Sequence, residues 1–473
     1  MSKREPMIVD ESQLDKQVEF QNKIAEIIDI EYPKDKPKVY AETWGCQMNE
    51  HDTENLLGMI DLMGYEMTEV ASEADLIIFN TCAVRENAEL KVYGNLHRLK
   101  RLKDKKENLV IAVCGCMAQQ SHVVEEIKKT YPFVSLVFGT HNIYKFPEML
   151  YNYLQKQENN YDVWDIDGRV VEGLPVIRKY KIKSFVNIMY GCNNFCTYCI
   201  VPYTRGRERS RLPMDIIQEV EELVKNGVKE ITLLGQNVNS YGQTLENPVE
   251  FHELLEMINQ VEGLERIRFM TSHPKDISEQ LLETMSKLDK VCEYLHLPIQ
   301  SGSTKVLREM NRHYTKEDYI KIIETAKKYM PEIGLTTDIM VGFPGETEED
   351  LDETIDVVKT VQYDLAFTYL YSRRKGTSAD KRENQIPEDI KKERFDRLLE
   401  SVNQAAEAQS QRYLGQTVEV LVEGKSRKNE HVLTGRNRQN KTVNFVGDES
   451  LIGQLVKLKI IDTKSFSLTG ELI

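Results

Sequence analysis

From Lys38 onward the chain repeats one pattern: a short apolar run rich in β-branched or aromatic residues, then a longer stretch of helical periodicity. KVYAETW precedes NEHDTENLLGMIDLMG, DLIIFN precedes ENAELKVYGNLHRLKRLK, NLVIAV precedes SHVVEEIKKTY, and VSLVFG closes the series. Successive βα units require parallel strands with helices covering the sheet. Residues 37–150 are therefore expected to form an open parallel α/β domain. A polar stretch, QKQENNYDVWDIDGRVVEG, separates it from a second series: FVNIMYG, EITLLGQN, RIRFMTS, YLHLPIQ, GLTTDIMVGF and LAFTYLYS. Six βα repeats predict a partial (β/α)6 barrel over residues 178–408, with its chemistry at the strand C-terminal ends. After a helical stretch from Pro387 to about Arg412, the runs TVEVLVEG, HVLTGR, TVNFVG and LVKLKIID predict a small antiparallel β-barrel over residues 411–473. Residues 1–36 read as a charged extension carrying one amphipathic helix, LDKQVEFQNKIAEIIDI.

Composition narrows the class. The chain has 473 residues, 40% of them hydrophobic, enough for about two or three domains with proper cores. Its opening, MSKREPMIVDESQ, has charge but no apolar core of signal-peptide length, and no apolar run approaches the roughly 18 residues of a membrane span. A cytoplasmic protein without membrane contact is expected. A net charge of −14 argues against a generic polyanion binder, so nucleic-acid contacts must be sought in local patches. Eight cysteines in a chain of this kind point to metal or redox chemistry rather than disulfides.

Three of them, Cys192, Cys196 and Cys199, stand in GCNNFCTYCI, in the loop after the first strand of the second series. A structural zinc site needs a fourth ligand, and no cysteine or histidine stands close by. A nucleophilic cysteine needs a neighbouring histidine or aspartate, also missing. A cubane iron–sulfur cluster fits three thiolates, with its fourth iron left open. Cys46, Cys82 and Cys116 follow the first, second and third strands of the N-terminal series. Parallel strands gather their carboxyl ends at one sheet edge, so these loops can deliver three thiolates to one point. Cys114 lies two residues before Cys116, which in a strand is the same face, so geometry does not choose between them. Cys292, in KVCEYLHLP, reads as a core residue.

The spacing Cys-x3-Cys-x2-Cys, with Tyr198 before the last cysteine, resembles the radical S-adenosylmethionine enzymes. With GCQMN, NTCAVRENAE, VCGCMAQ, RGRERSR, LLGQNVNSYG, TSHP, HLPIQSGS and DIMVGFPGET, the resemblance narrows to the methylthiotransferases and runs from Lys38 to Ile473. It implies two 4Fe-4S clusters. Cys192, Cys196 and Cys199 hold the catalytic one, and Cys46, Cys82 and Cys116 hold an auxiliary one, a glycine before the ligand selecting Cys116 over Cys114. S-adenosyl-L-methionine is implied as methyl donor and radical source, with Tyr198, Gln236, Asn237, Ser301 and Asp338 binding it. His273 fits either a turn or a functional role. YSRRKGTSAD departs from the family, with Arg373 and Ser378 where prolines are expected.

Within the family, the motifs resemble the branch that methylthiolates carbon 2 of N(6)-isopentenyladenosine next to the anticodon of tRNA. The alternatives are a threonylcarbamoyl-adenosine or ribosomal-protein substrate and, outside enzymes, a zinc-containing RNA-binding protein. Expected partners are tRNA and an electron donor such as a flavodoxin or ferredoxin, with the enzyme a monomer. Three basic runs are candidates for the RNA surface: 205–211, 372–382 and 425–441, the last in a segment resembling the RNA-binding TRAM domain.

Overall fold

A computed structural model of the chain describes residues 11–83, 86–163, 171–426 and 429–473. They form two compact units: Met1–Lys179 with Met189–Asn193 and Ile200–Arg211, and Tyr180–Ile188 with Asn194–Cys199 and Leu212–Ile473.

The first unit begins with α1 (Glu11–Glu31), then β1 (Lys38–Trp44), α2 (Gln47–Leu62), β2 (Glu66–Met67), β3 (Leu76–Thr81), α3 (Glu86–Lys105), β4 (Val110–Cys114), α4 (Ser121–Thr130), β5 (Leu136–Phe138), α5 (Phe146–Lys156) and β6 (Asn160–Asp162). The strands form one sheet in the order β2-β1-β3-β4-β5-β6, and every ladder is parallel. The central strands LIIFNT and VIAVC are buried on both faces, which is why they read as continuous apolar runs. One face packs Ile78, Ala112 and Phe138 against Leu56 and Met59 of α2, Phe146 and Leu150 of α5, and Ile24 and Ile28 of α1. The other packs Ile77, Phe79, Ile111 and Val113 against Val92 and Leu96 of α3 and Val123 and Ile127 of α4. The helix of the N-terminal extension is thus part of the core, fastened to α5 by Gln17 Nε2 donating to Glu148 Oε2 at 3.2 Å. The polar stretch expected to be a spacer instead supplies β6 within its span, paired parallel to β5. An edge strand of three residues is too short to show periodicity. Trp164 to Val170 of that stretch lie outside the described residues.

In the second unit, β7 (Lys183–Asn187) starts the barrel series. The chain then returns to the first unit, where β8 (Met189–Tyr190) and β9 (Arg209–Ser210) pair antiparallel. Next come β10 (Glu230–Leu234), β11 (Arg266–Phe269), β12 (Tyr294–His296), β13 (Gly334–Val341) and β14 (Leu365–Leu370), each after helical sequence. The six expected strands are present, but as two parallel ladders, β11-β10-β7 and β12-β13-β14. A single parallel bridge between Ile267 and Val291 joins their neighbouring ends, because β12 has only three residues to pair.

The C-terminal strands β15 (Thr417–Ser426), β16 (Asn429–Asn437), β17 (Thr442–Val446), β18 (Leu455–Lys464) and β19 (Ser467–Leu472) close a barrel in the order β15-β16-β17-β19-β18. The expectation of a wholly antiparallel barrel is corrected: β17 and β19 run parallel. Directions cannot alternate around a closed ring of five, so one ladder must be parallel. Arg266 and Arg268 on β11 fasten this barrel to the six-strand core. Arg266, fully buried, donates to Arg436 O at 2.7 Å and Glu419 O at 3.2 Å, and Arg268 donates to Arg438 O and Asn437 O, both at 2.7 Å.

Candidate metal centres

In the first unit Cys46 follows β1 and N-caps α2, Cys82 follows β3, and Cys116 follows β4. β4 ends at Cys114, whose side chain lies in the apolar core, and Gly115 at φ +93° turns the chain so that Cys116 leaves the strand. The same-face relation expected of a strand therefore does not hold, and the two cysteines part. Two glycines let the loops close up. A Cβ on Gly45 would lie 2.4 Å from Cys82 Cβ, and one on Gly115 would lie 2.2 Å from Asn80 Oδ1.

Asn49 sits between the thiols. Its amide nitrogen donates to Asn80 Oδ1 at 2.8 Å, which turns Oδ1 toward the cysteines. Cys46 Sγ donates to that oxygen at 3.2 Å, and Cys116 Sγ stands 3.9 Å from it. A hydrogen bond with Cys82 draws the Cys46 thiol below its ordinary pKa, with the charge of Arg205 adding to the effect against burial. Burial moves Cys116 the other way, and Arg205 offsets only part of that. Arg205 itself is buried, with Nε 3.2 Å from Cys116 Sγ and Nη2 2.7 Å from Asp52 Oδ2. Its loop is held by Thr140 Oγ1 donating to Thr204 O at 2.8 Å.

Among the described residues no three His, Cys, Asp or Glu side chains converge as ligands of a single ion. A cubane places each thiolate on its own iron, so its ligands surround a cluster rather than meet at a point. Three thiols on three loops, one of them already acidic, and a buried guanidinium to balance thiolate charge are a donor set that fits such a cluster.

Of the second set, Cys192 belongs to the first unit, where its N–H donates to Gly206 O at 3.1 Å. Cys196 and Cys199 belong to the second, tied by Cys199 N–H to Cys196 O at 2.9 Å. Arg312, buried, places Nη1 3.6 Å from Cys196 Sγ while Nη2 donates to Pro298 O at 2.8 Å. Each thiol set thus contains a cysteine with a buried arginine against it. Tyr198 packs on Val306, Met310, Phe343 and Tyr371.

Beyond β10 and β11 the chain leaves buried polar atoms without a partner among the described residues: Asn237 Oδ1, Ser272 Oγ and His273 Nε2. Asn237 Nδ2 meanwhile donates to Asp276 at 2.7 Å. His273 Nδ1 accepts from Lys275 N–H, so the neutral ring carries its proton on Nε2. Burial, with Arg312 nearby, holds its pKa down to about 2. These groups fit a polar ligand at the strand ends. Of the other sequence candidates, Gln236 follows β10, Asp338 lies on β13 with Oδ2 3.7 Å from His296 Nε2, and Ser301 Oγ accepts from Ser303 N–H at 3.2 Å.

The basic runs behave differently from the expectation. Arg205 and Arg211 are buried, Arg211 pairing with Glu172 at 2.7 Å, and only Arg207 of the run's arginines is exposed. Arg373 pairs with Asp380 at 2.9 Å and Arg382 with Glu309 at 2.5 Å, so an ion pair closes the loop that lacks the expected prolines. Arg438 pairs with Glu293 at 2.7 Å and donates to Val291 O at 2.6 Å, and buried Lys441 donates to Ser410 Oγ at 2.9 Å. Those two residues hold the C-terminal barrel to the core. Arg427 and Lys428 lie outside the described residues.

Comparison with known proteins gives the class first. Residues 186–358 match the radical SAM superfamily, 411–473 the TRAM domain, and 38–139 an uncharacterised protein family, UPF0004. The solved radical S-adenosylmethionine methyltransferase TsrM of Kitasatospora setae shares the fold, at a TM-score of 0.53 and 12% identity over 73% of this chain and 75% of that one. At the level of family, the tRNA-2-methylthio-N(6)-dimethylallyladenosine synthase of Clostridioides difficile is 62% identical over 92% of this chain and 91% of its own. That of Alkaliphilus oremlandii is 58% identical over the full length of both, and that of Acetivibrio thermocellus 56% over 95% of both. The chain belongs to this family of radical SAM tRNA methylthiotransferases.

Asn49, Asp52 and Arg312 were not foreseen as site residues, and Arg205 was expected on an RNA surface rather than beside a thiol. Asn49 and Arg205 do fall inside GCQMN and RGRERSR, but nothing local marks them as neighbours of a thiol.

Proposed function

We propose that the chain methylthiolates carbon 2 of N(6)-dimethylallyladenosine next to the anticodon of tRNA, with Cys192, Cys196 and Cys199 holding one 4Fe-4S cluster and Cys46, Cys82 and Cys116 holding a second. The observation that carries the two-cluster reading is the gathering of three loop cysteines: Cys46 and Cys116 meet at Asn49, Arg205 stands against Cys116, and Cys82 is hydrogen-bonded to Cys46. When bound, the clusters and S-adenosylmethionine supply the radical, the sulfur and the methyl group. The chain's own residues do the rest. Asn49 orients two thiols, while Asp52 fixes Arg205 so that its charge faces Cys116. Arg312 balances Cys196 in the same way. Asn237, Ser272 and His273 offer hydrogen bonds where S-adenosylmethionine or the base would lie, with Tyr198, Gln236, Ser301 and Asp338 proposed alongside them. Burial of Asn237, Ser272, His273 and Ser301 keeps water from them. A flavodoxin- or ferredoxin-type electron donor, a monomeric state and a cytoplasmic location complete the reading. No helix among the described residues is long and apolar enough to cross a membrane.

Mass spectrometry of nucleosides from tRNA of cells lacking this protein tests the assignment. The methylthiolated adenosine should vanish and its dimethylallyl precursor accumulate. Unchanged tRNA would overturn the substrate.

A further inference from the structure

The basic runs evident in the sequence are largely taken up by intramolecular pairs, which leaves open where an acidic chain meets RNA. Helix α3 answers. Lys91, Arg98 and Lys105 recur every seven residues, close to two turns, and so form one line, with Arg101 on the same side. All four are exposed, and none pairs with a described carboxylate. At a rise of 1.5 Å per residue the line is about 21 Å long. The opposite side, through Val92, Leu96 and Leu99, is locked into the core, so the charges ride on a fixed support.

Gly94 is a second and independent sign. It lies in the interior of the helix, exposed, beside the line, and a Cβ there would meet nothing within 4 Å. Glycine at such a place costs about 1 kcal/mol against alanine, and no group among the described residues requires it. A bare backbone among cations suits close approach by something from outside.

The geometry points to the exposed face of α3 as a docking strip for the phosphate backbone of the RNA substrate, an assignment that rests on the tRNA-modifying reading above. Its exposed large apolar side chain is Leu90 alone, whereas protein partners usually meet an apolar and aromatic centre. Phosphates need only cations, and such contacts set the register of the RNA without reading its sequence.

The test is the affinity of the full chain for an unmodified tRNA transcript across a salt series, measured without turnover. R98Q/R101Q should bind about tenfold more weakly at physiological salt, with the slope of log affinity against log salt shallower by about 1.5, two phosphate contacts being lost. K100Q/K129Q removes the same charge off the strip, from exposed Lys100 at the border of the buried face of α3 and from exposed Lys129 of α4, and should change neither quantity comparably. G94A should raise the unfolding midpoint yet weaken RNA binding, which guards against a folding defect as the cause. Equal effects of the two double variants, or wild-type binding by R98Q/R101Q, would overturn the strip. So would a variant that keeps its RNA affinity but is reduced more slowly by an acidic electron-transfer protein, since that protein would then be the occupant. Strip-dependent RNA binding in a chain that fails to methylthiolate adenosine would leave the strip standing and remove the functional reading.

Discussion

Replacing Arg205 by glutamine probes the charge arrangement around the auxiliary thiols. Arg205 Nη2 and Asp52 Oδ2 are 2.7 Å apart, with side chains only 5% and 6% exposed. At an effective dielectric constant of about 20 their attraction is about 6 kcal/mol, and desolvating two ions at several kcal/mol each cancels most of it. The net worth of the pair is therefore small. Breaking it is not, because Asp52 would remain buried and unpaired, a loss of about 3–5 kcal/mol. D52N/R205Q should lose less than the sum of its two single variants, by a coupling of about 2–3 kcal/mol. Urea unfolding of the metal-free chain followed by tryptophan fluorescence suits the question, since Trp44 packs edge-on against Phe79 in the first unit at 5.0 Å. A loss under about 1 kcal/mol for R205Q, or strict additivity in the double variant, would refute the reasoning.

His273 gives a pH signature. Its pKa is about 2 in the folded chain against an ordinary 6.5, so the folded state declines a proton that the unfolded state accepts. The stability this contributes is complete above pH 6.5 and lost as the pH falls, by about 1.4 kcal/mol per unit. Between pH 6.5 and 5 the wild type should therefore lose about 1.6 kcal/mol more than H273Q in urea unfolding, and parallel curves would contradict it. Arg266 anchors the C-terminal barrel through backbone carbonyls, and its loss would leave Arg436 O and Glu419 O without that donor. R266A should let a protease cut near residue 411 and release the barrel, where the wild type resists. Equal resistance would mean that the anchor lies elsewhere.

The parallel sheet and the six barrel strands were legible because each rests on short-range order, period-two and helical patterning, and the cysteine sets were expected from loops that follow strands and from three cysteines within eight residues. What was not legible depends on distant partners. Arg205, Arg211 and Arg438 read locally as solvated cations, but their carboxylates Asp52, Glu172 and Glu293 stand 153, 39 and 145 residues away. Asn49 lies beside Cys46 in sequence, yet its role comes from Asn80, 31 residues on, which turns its amide. The parallel ladder of the C-terminal barrel follows from the number of strands in a closed ring, and β19 did not stand out as a fifth. Conversely, the cations proposed to line α3 stand together in KVYGNLHRLKRLKDK, a stretch whose helical period is plainer than its charge pattern.

The central claim, two clusters on two independent cysteine sets, is tested most directly by counting iron in anaerobically reconstituted protein. The wild type should hold about eight irons per chain, and C192A/C196A/C199A and C46A/C82A/C116A about four each. A C46A/C82A/C116A variant that kept all its iron would contradict the auxiliary site.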